Sequence, residues 1–305
     1  MERALPFFSI IVPTRNRQER LVACLHSMAM LDYPRNLFEI VVVVDGGTVP
    51  PVEQLASLHK MIELTILTQS HAGPAAARNN GARHAKGEYL VFTDDDCAPM
   101  PDWLSKLAES FSMHSDCGLG GQTVNALPLN RYSVANQFLM DFIYAVYNTA
   151  PDGARYFASN NIAVPAQMFR AIGGFSESYS RAAGEDRDFC RKWRFHGYCL
   201  LSVPEAVIRH AHDLTLAGFI RQQFNYGRGS CLYHLLAAGE GGKTGNFWPL
   251  SHYVKLITYP VMWARGGQKV SITLSLMLSQ LSVAAGRAWE RLTICGKRLK
   301  YRPDK

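Results

Sequence analysis

The chain has 305 residues, 48% of them hydrophobic and 19% charged, enough apolar material for one large core or two modest ones and too much for a disordered protein. Its formal net charge of +7 is spread over short stretches and is densest at Arg287, Lys297, Arg298, Lys300, Arg302 and Lys305; no sustained basic stripe interleaves with aromatics, so nucleic-acid binding is not expected. Seven scattered cysteines without a C-x-x-C pair indicate neither a disulfide framework nor a structural zinc site and fit a reducing cytoplasm, and the first residues lack the marks of a signal peptide.

Phe7 to Val12 reads as a strand, Gln18 to Met30 as a helix, and the almost wholly apolar, β-branched run Glu39 to Asp45 as a strand covered on both faces. Leu64 to Leu67 is a shorter strand. Gly73-Pro74 opens an Ala-rich helix to about Ala85, with proline in its first turn. A strand ending at Asp94 follows, then a helix from Pro101. This β-α-β-β-α-β-α order implies an α/β fold with a mostly parallel, doubly wound sheet.

The alternation breaks after Gly118 to Gly121. Arg131 to Thr149 is aromatic and helical in pattern, Ser159 to Pro165 reads as a strand closed by proline, and Ala166 to Ile172 as a short helix capped at Gly173-Gly174. A helix runs from Glu185-Asp186 to about His196. Beyond Leu216 the pattern is helical, with breaks expected at Gly227 to Gly229 and Gly239 to Gly245. The uncharged stretch 270–286 sits at the short edge of the spanning range and is expected as a buried or membrane-surface helix. The expected division is one domain at 1–220, with a first half at about 1–121 and a second half, carrying the acceptor side of a cleft, at about 122–220, then a helical region at 221–305.

Asp94, Asp95 and Asp96 stand where a buried strand runs out, the edge at which open α/β sheets bind ligands. Adjacent carboxylates repel unless a cation or strong donors lie among them, so a divalent metal holding a phosphate-bearing ligand is the first expectation. The first strand leads into Pro13-Thr14-Arg15-Asn16-Arg17 rather than a glycine-rich loop, which disfavours dinucleotide dehydrogenases and P-loop enzymes. Asp45, followed by Gly46-Gly47, can accept the imide N–H of a uracil or the amide edge of another base, or it is a turn aspartate bonded to local backbone.

The runs Phe8 to Arg17 (FSIIVPTRNR), Val42 to Asp45, Ala75 to Ala82 (AAARNNGA), Gly87 to Asp96 (GEYLVFTDDD) and Gly184 to Asp188 (GEDRD) resemble, in this order and spacing, a family 2 glycosyltransferase of the GT-A fold, over about Phe7 to His212. The resemblance implies a nucleotide-diphosphate sugar donor linked to UDP, GDP or dTDP, a divalent Mg²⁺ or Mn²⁺, and transfer with inversion. It makes Asp96 the main metal ligand, with Asp94 on the ribose or a metal-bound water, and Asp95 left ambiguous. Arg78, supported by Asn79, is implied at the diphosphate or the base. Pro13, Thr14 and Arg15 become the nucleoside pocket wall. Asp186 is implied as the base that takes the acceptor hydroxyl's proton, with Glu185 orienting it or the acceptor. His210 and His212 are candidate further metal or phosphate contacts, His210 the stronger. Arg221 and the Tyr226 to Gly229 segment are candidates for a mobile lid. Trp103, Tyr132, Phe138, Phe142, Tyr144 and Tyr147 fit core positions better than sugar stacking.

The expected acceptor is a saccharide, lipid-linked or of the cell envelope, with peripheral membrane contact through the basic, apolar tail and a place at the inner face of the cell membrane. Two rivals remain at this point. A sugar nucleotidyltransferase would carry a glycine-rich, lysine-containing loop after the first strand; a non-catalytic sugar-nucleotide-binding protein would have no need of both Asp96 and Asp186.

Overall fold

Buried, largely β-branched runs set the centre of the sheet. The computed structural model describes residues 4–50, 52–149, 153–179, 183–239, 249–264 and 267–300. In it β1 (Phe8–Thr14) and β2 (Phe38–Asp45) are buried along nearly their whole length. β1 pairs in parallel with β2 on one side and β4 (Tyr89–Phe92) on the other, and β2 pairs in parallel with β3 (Leu64–Gln69). The sheet continues through β7 (Ile162–Pro165), β6 (Gly118–Asn125) and β8 (Leu200–His210) to β5 (Cys97–Pro99), in the order β3-β2-β1-β4-β7-β6-β8-β5. β7 runs antiparallel to both β4 and β6, and β5 antiparallel to β8, while β6 and β8 are parallel. From β1 the chain steps outward to β2 and β3, then crosses back to β4 on the other side of β1. The carboxyl ends of β1 and β4 therefore flank the switch point where such sheets bind ligands.

Helices α1 (Gln18–Met28), α2 (Val52–His59), α3 (Pro74–His84) and α4 (Trp103–Met113) connect this part of the sheet. α3 packs on β1 and β2 through small residues; a Cβ on Gly81 would lie 2.6 Å from Ile11 Cγ2. That closeness carries Arg78 and Asn79, both buried, to the sheet. α2 has no counterpart in the sequence reading, because its eight residues give only about two turns of periodicity. The glycines at 118–121 open β6 rather than end the alternation. The Phe157 ring lies over Gly120 where any Cβ would collide, so glycine is what lets the strand form beneath an aromatic.

One cysteine expectation is overturned. Cys117 and Cys199 form a disulfide, each one residue ahead of the paired positions Gly118 and Leu200 of the β6–β8 ladder. Two cysteines 82 residues apart meet only once strand register is fixed, so spacing gave no warning. Cys24, Cys97, Cys190 and Cys231 are buried free thiols.

The chain divides into two compact units, one of residues 1–126, 144–180 and 186–212, the other of residues 127–143, 181–185 and 213–305. The first holds the sheet, α1 to α4, α6 (Ala166–Ala171) and nearly all of α7 (Glu185–Phe195). The expected single cut at 220 differs from this, because most of α5 (Arg131–Tyr147) is grouped with the C-terminal helices. In the second unit α8 (Leu216–Gly239) and α10 (Gln268–Lys300) run side by side. Gly227 and Gly286 allow the contact: a Cβ at either would strike the carbonyl of Val283 or Phe224. The expected helix break at Gly227 to Gly229 is therefore absent, and with it the hinge of the proposed lid; residues 240–245 lie outside the described residues. A buried polar thread crosses this unit, with Gln223 Nε2 donating to Asn136 Oδ1 (3.2 Å) and Ser279 Oγ donating to Gln223 Oε1 (2.8 Å). α9 (Leu250–Trp263) places Tyr259 edge-on against Phe138 and Phe142. Trp103, Tyr132, Phe142 and Tyr144 are likewise packed into their units rather than displayed.

Candidate active site

The three aspartates leave β4 and turn before β5, and each is held differently. Asp94 accepts a hydrogen bond from Arg78 Nη2 at 2.7 Å. Asp95 accepts from Thr14 Oγ1 at 2.7 Å and from Arg17 Nη1 at 3.1 Å. Asp96 meets Arg17 Nη1 at 3.2 Å, Arg20 Nη1 at 3.5 Å and His210 Nε2 at 3.0 Å. The Asp95 and Asp96 side chains are 4% exposed, against 30% for Asp94. Burial pushes both buried carboxyls up. For Asp95 it outweighs Arg17 and Thr14, leaving the group at about 6. For Asp96 the His210 imidazole and the Arg17 guanidinium more than offset burial and hold the carboxyl well below the usual range. Asp96 is thus the firm anion of the cluster and Asp95 the protonatable one.

The chemistry of the donor set bears on a metal. A carboxylate oxygen of Asp96, a ring nitrogen of His210 and Cys97 Sγ lie within 4.8 Å of one another. The Asp96 Oδ1–His210 Nε2 approach is close but poorly aligned for a hydrogen bond. Burial, then Asp94 and Asp96, raises the Cys97 thiol well above its ordinary value, so it stays protonated and is a poor ligand. A carboxylate with an imidazole suits Mn²⁺ better than Mg²⁺. His210 Nδ1 is 3.3 Å from the Asn160 amide nitrogen, a contact in which the neutral ring accepts at Nδ1 and carries its proton on Nε2, or the amide is turned and the tautomer reversed. A proton on Nε2 must leave before that nitrogen can hold a cation, and the turned Asn160 amide then supplies an acceptor for Nδ1–H. Although burial alone would lower it, the Asp96 carboxylate raises the His210 pKa. His212 stacks on His210 with ring centroids 4.5 Å apart; burial and His210 push it down to about 4, so it is neutral and holds no phosphate by charge.

Asp186 sits in the first turn of α7 and is bonded on both oxygens, from Tyr156 Oη to Oδ2 (3.0 Å) and from the Arg187 N–H to Oδ1 (2.7 Å). Burial raises its pKa, and the Arg187 amide, Tyr156 and the Arg78 charge offset this only in part. Arg78 is therefore shared: it hydrogen-bonds Asp94 and its field reaches Asp186. Glu185 precedes it and is buried. Asp188, two residues further on, is paired with Arg191 at 2.8 Å.

Residues 9–172, more than half of the chain, match the family model for glycosyl transferase family 2. The chain belongs to that family. Glycosyltransferase AglE of Haloferax volcanii is 25% identical over 237 residues, covering 75% of this chain and 74% of AglE. Pre-mycofactocin glycosyltransferase of Mycobacterium tuberculosis is 28% identical over 225 residues, covering 72% of this chain but only 46% of that longer protein. Among solved structures, mannosyltransferase PcManGT of Pyrobaculum calidifontis, in complex with GDP-Man and Mn²⁺, superposes with a TM-score of 0.68 at 19% identity, covering 94% of this chain and 88% of its own. Residues 1–349 of Staphylococcus aureus TarS, in complex with UDP-GlcNAc, superpose with a TM-score of 0.59 at 16% identity, covering 95% and 92%.

Membership of family 2 makes this chain a glycosyltransferase and removes the nucleotidyltransferase and non-catalytic readings. Several residues expected on the donor of this glycosyltransferase have other partners in the structure. Asp45 accepts four hydrogen bonds, from Gln69 Nε2, His71 Nδ1 and the amides of Ala72 and Gly73, at 2.8–2.9 Å. A carboxylate so saturated buckles the loop into α3, the turn alternative of the sequence reading, and a base reaches it only by replacing one of these donors. Burial would raise Asp45, but those donors hold it below its ordinary value. Asn79 does not support Arg78. Its amide clasps the Phe175 backbone in both directions and Glu177 Oε1, fixing the turn at 174–177. Thr14 is committed to Asp95, while Arg15 is exposed and lies 3.0 Å from His71 Nε2. Pro13 lies past the last β1–β4 pair, where a missing N–H costs no ladder bond. Arg17, Tyr156 and His71 carry no role in the sequence reading. Arg17 stands in a quoted motif and was within reach; Tyr156 follows an irregular segment that offers no pattern.

Proposed function

We propose that this glycosyltransferase uses a divalent cation and inverts the anomeric centre as it moves a sugar from a nucleoside diphosphate to a hydroxyl of a lipid-linked or cell-envelope saccharide. The observation that carries the reading is that one compact unit holds both the acidic turn of β4, with Asp94 on Arg78 Nη2 at 2.7 Å and Asp96 at 3.0 Å from His210 Nε2, and the buried carboxylate Asp186, held by Tyr156 Oη at 3.0 Å. Asp96, with Asp94 and His210, would hold Mn²⁺ or Mg²⁺, which when bound draws charge from the departing diphosphate. Asp186 takes the proton of the acceptor hydroxyl as its oxygen forms the new bond to the anomeric carbon and the bond to the diphosphate oxygen breaks. Burial supplies the basicity that this needs, and Glu185 orients the acceptor or the base. The end of β1, Pro13 to Arg15, and the Asp45-buckled loop line the nucleoside side.

The relatives favour the acceptor class. A Methanococcus voltae protein that is 23% identical over 239 residues is named for transfer to a dolichyl-linked sugar phosphate, and TarS for poly(ribitol-phosphate). Membrane contact fits the second unit. Among the described residues only Gln268–Ile294 is long and apolar enough to span a bilayer, but one side of α10 is occupied by α8. Val270, Leu274, Met277, Leu281, Trp289 and Leu292 are exposed at helical spacing, with Arg291 beside them, as an interfacial helix requires.

The test is thermal stabilisation by UDP-, GDP- and dTDP-sugars with Mn²⁺, with Mg²⁺ and with chelator. One donor should raise the melting temperature only with metal. A donor that stabilises equally in chelator would overturn the metal reading.

A further inference from the structure

β1 ends in a sharp turn at Asn16, which has a left-handed φ of 54°. The turn carries Arg17, the N-cap position of α1, back over the acidic turn that follows β4. Its Nη1 bridges Asp95 Oδ1 and Asp96 Oδ2, while half of the side chain remains open to solvent. The carboxylates beneath are almost fully buried. A monovalent cation that is part of the chain thus sits on the solvent side of the groups assigned to a divalent one.

We propose that Arg17 is a tethered counter-ion: it neutralises Asp95 and Asp96 until a cation arrives, then turns outward and pairs with the diphosphate that accompanies it. The proposal rests on the reading of Asp96 as a cation ligand. Its physical content is competition followed by exchange. Arg17 holds Asp96 Oδ2 while Oδ1 of the same carboxylate, turned to His210, is left for the divalent ion, and like charges a few ångströms apart on one buried carboxylate repel, so metal alone is opposed. A nucleoside diphosphate brings two or more negative charges and offers the displaced guanidinium a planar, two-pronged partner. Metal and nucleotide therefore help one another bind, and Arg17 carries the coupling. Arg20, whose Nη1 is 3.5 Å from the same oxygen, contributes less.

The experiment measures Mn²⁺ binding by electron paramagnetic resonance, without nucleotide and with saturating UDP or GDP, on the full chain and on Arg17→Gln, Arg17→Lys and Arg20→Gln. The wild type should bind Mn²⁺ at least about tenfold more tightly with nucleotide than without. Arg17→Gln should bind Mn²⁺ alone about tenfold more tightly than wild type and lose most of the nucleotide enhancement. Arg17→Lys should fall between, keeping the charge without the fork, and Arg20→Gln should stay near wild type. Arg17 is half-exposed and its backbone carbonyl opens the helix, so the variants should fold, with Arg17→Gln melting below the parent because two buried carboxylates lose their guanidinium, and binding is read on protein that circular dichroism shows to be folded. Weaker Mn²⁺ binding in a folded Arg17→Gln would make Arg17 part of the site's scaffold and overturn the exchange. Unchanged binding with unchanged coupling would overturn it too. A wild type that takes up no Mn²⁺ in any condition would instead defeat the cation reading itself.

Discussion

Replacing Tyr156 with phenylalanine removes one hydroxyl from the machinery and leaves the ring in place. The ring packs edge-on against Tyr144, and Asn148 holds the Tyr156 backbone through both its N–H and its carbonyl, so the fold should survive. What disappears is a hydrogen bond donated at 3.0 Å to a buried carboxylate. Bonds to charged groups are worth about 1.5–3 kcal/mol, and this one favours only the ionised form. The remaining partners of Asp186 are the Arg187 amide, the Arg78 charge and the Ser159 amide, with the Cys190 thiol one turn on. The sign follows directly. Burial already raises the Asp186 pKa, and Tyr156 works against that rise, so its loss raises the pKa further. A base must be ionised, so kcat falls as pH drops through that pKa. In Tyr156→Phe the acid limb of the kcat profile should move to higher pH, with about a ten- to hundredfold loss at acid pH that shrinks on the alkaline side. The assay is release of nucleoside diphosphate at saturating donor and acceptor across the pH range. A uniform loss of kcat with an unmoved limb would refute the reasoning and reduce Tyr156 to packing.

Asp186→Asn should melt higher than wild type at neutral pH although its transfer rate should fall steeply. A buried carboxyl with a raised pKa opposes folding once pH exceeds its unfolded value, and relief is worth about 2–4 °C per kcal/mol in a domain of this size; a lower melting temperature would contradict this. Reduction of Cys117–Cys199, or Cys117→Ser, should lower stability by up to roughly 4 kcal/mol, given the 82-residue separation, and identical melts with and without reductant would show that the bond contributes nothing.

The parts of this protein legible in its sequence are those written in local pattern. The β-branched run to Asp45, the proline-opened alanine helix and the aspartates after a buried strand are local, and they located the sheet and the acidic turn. What escaped depends on partners distant in sequence. Nothing near Asp45 says that Gln69 and the 71–73 loop will saturate it, and nothing near Asn79 points to Phe175. The cysteine pair becomes visible only through the β6–β8 register. Gly227 reads as a helix breaker until another helix is found crossing it. Arg17 is the instructive case, since the turn at Asn16 decides which of two neighbouring arginines, 15 or 17, covers the carboxylates.

The central claim is a division of labour between two carboxylates, and calorimetric titration of a donor sugar nucleotide with Mn²⁺, paired with single-turnover rates, tests it most directly. Asp96→Asn should lose metal-dependent donor binding. Asp186→Asn should bind donor within a few-fold of wild type while its transfer rate falls by about 10²–10⁴. Equal loss of donor affinity in both variants, or metal-independent binding that survives in Asp96→Asn at wild-type strength, would contradict the account.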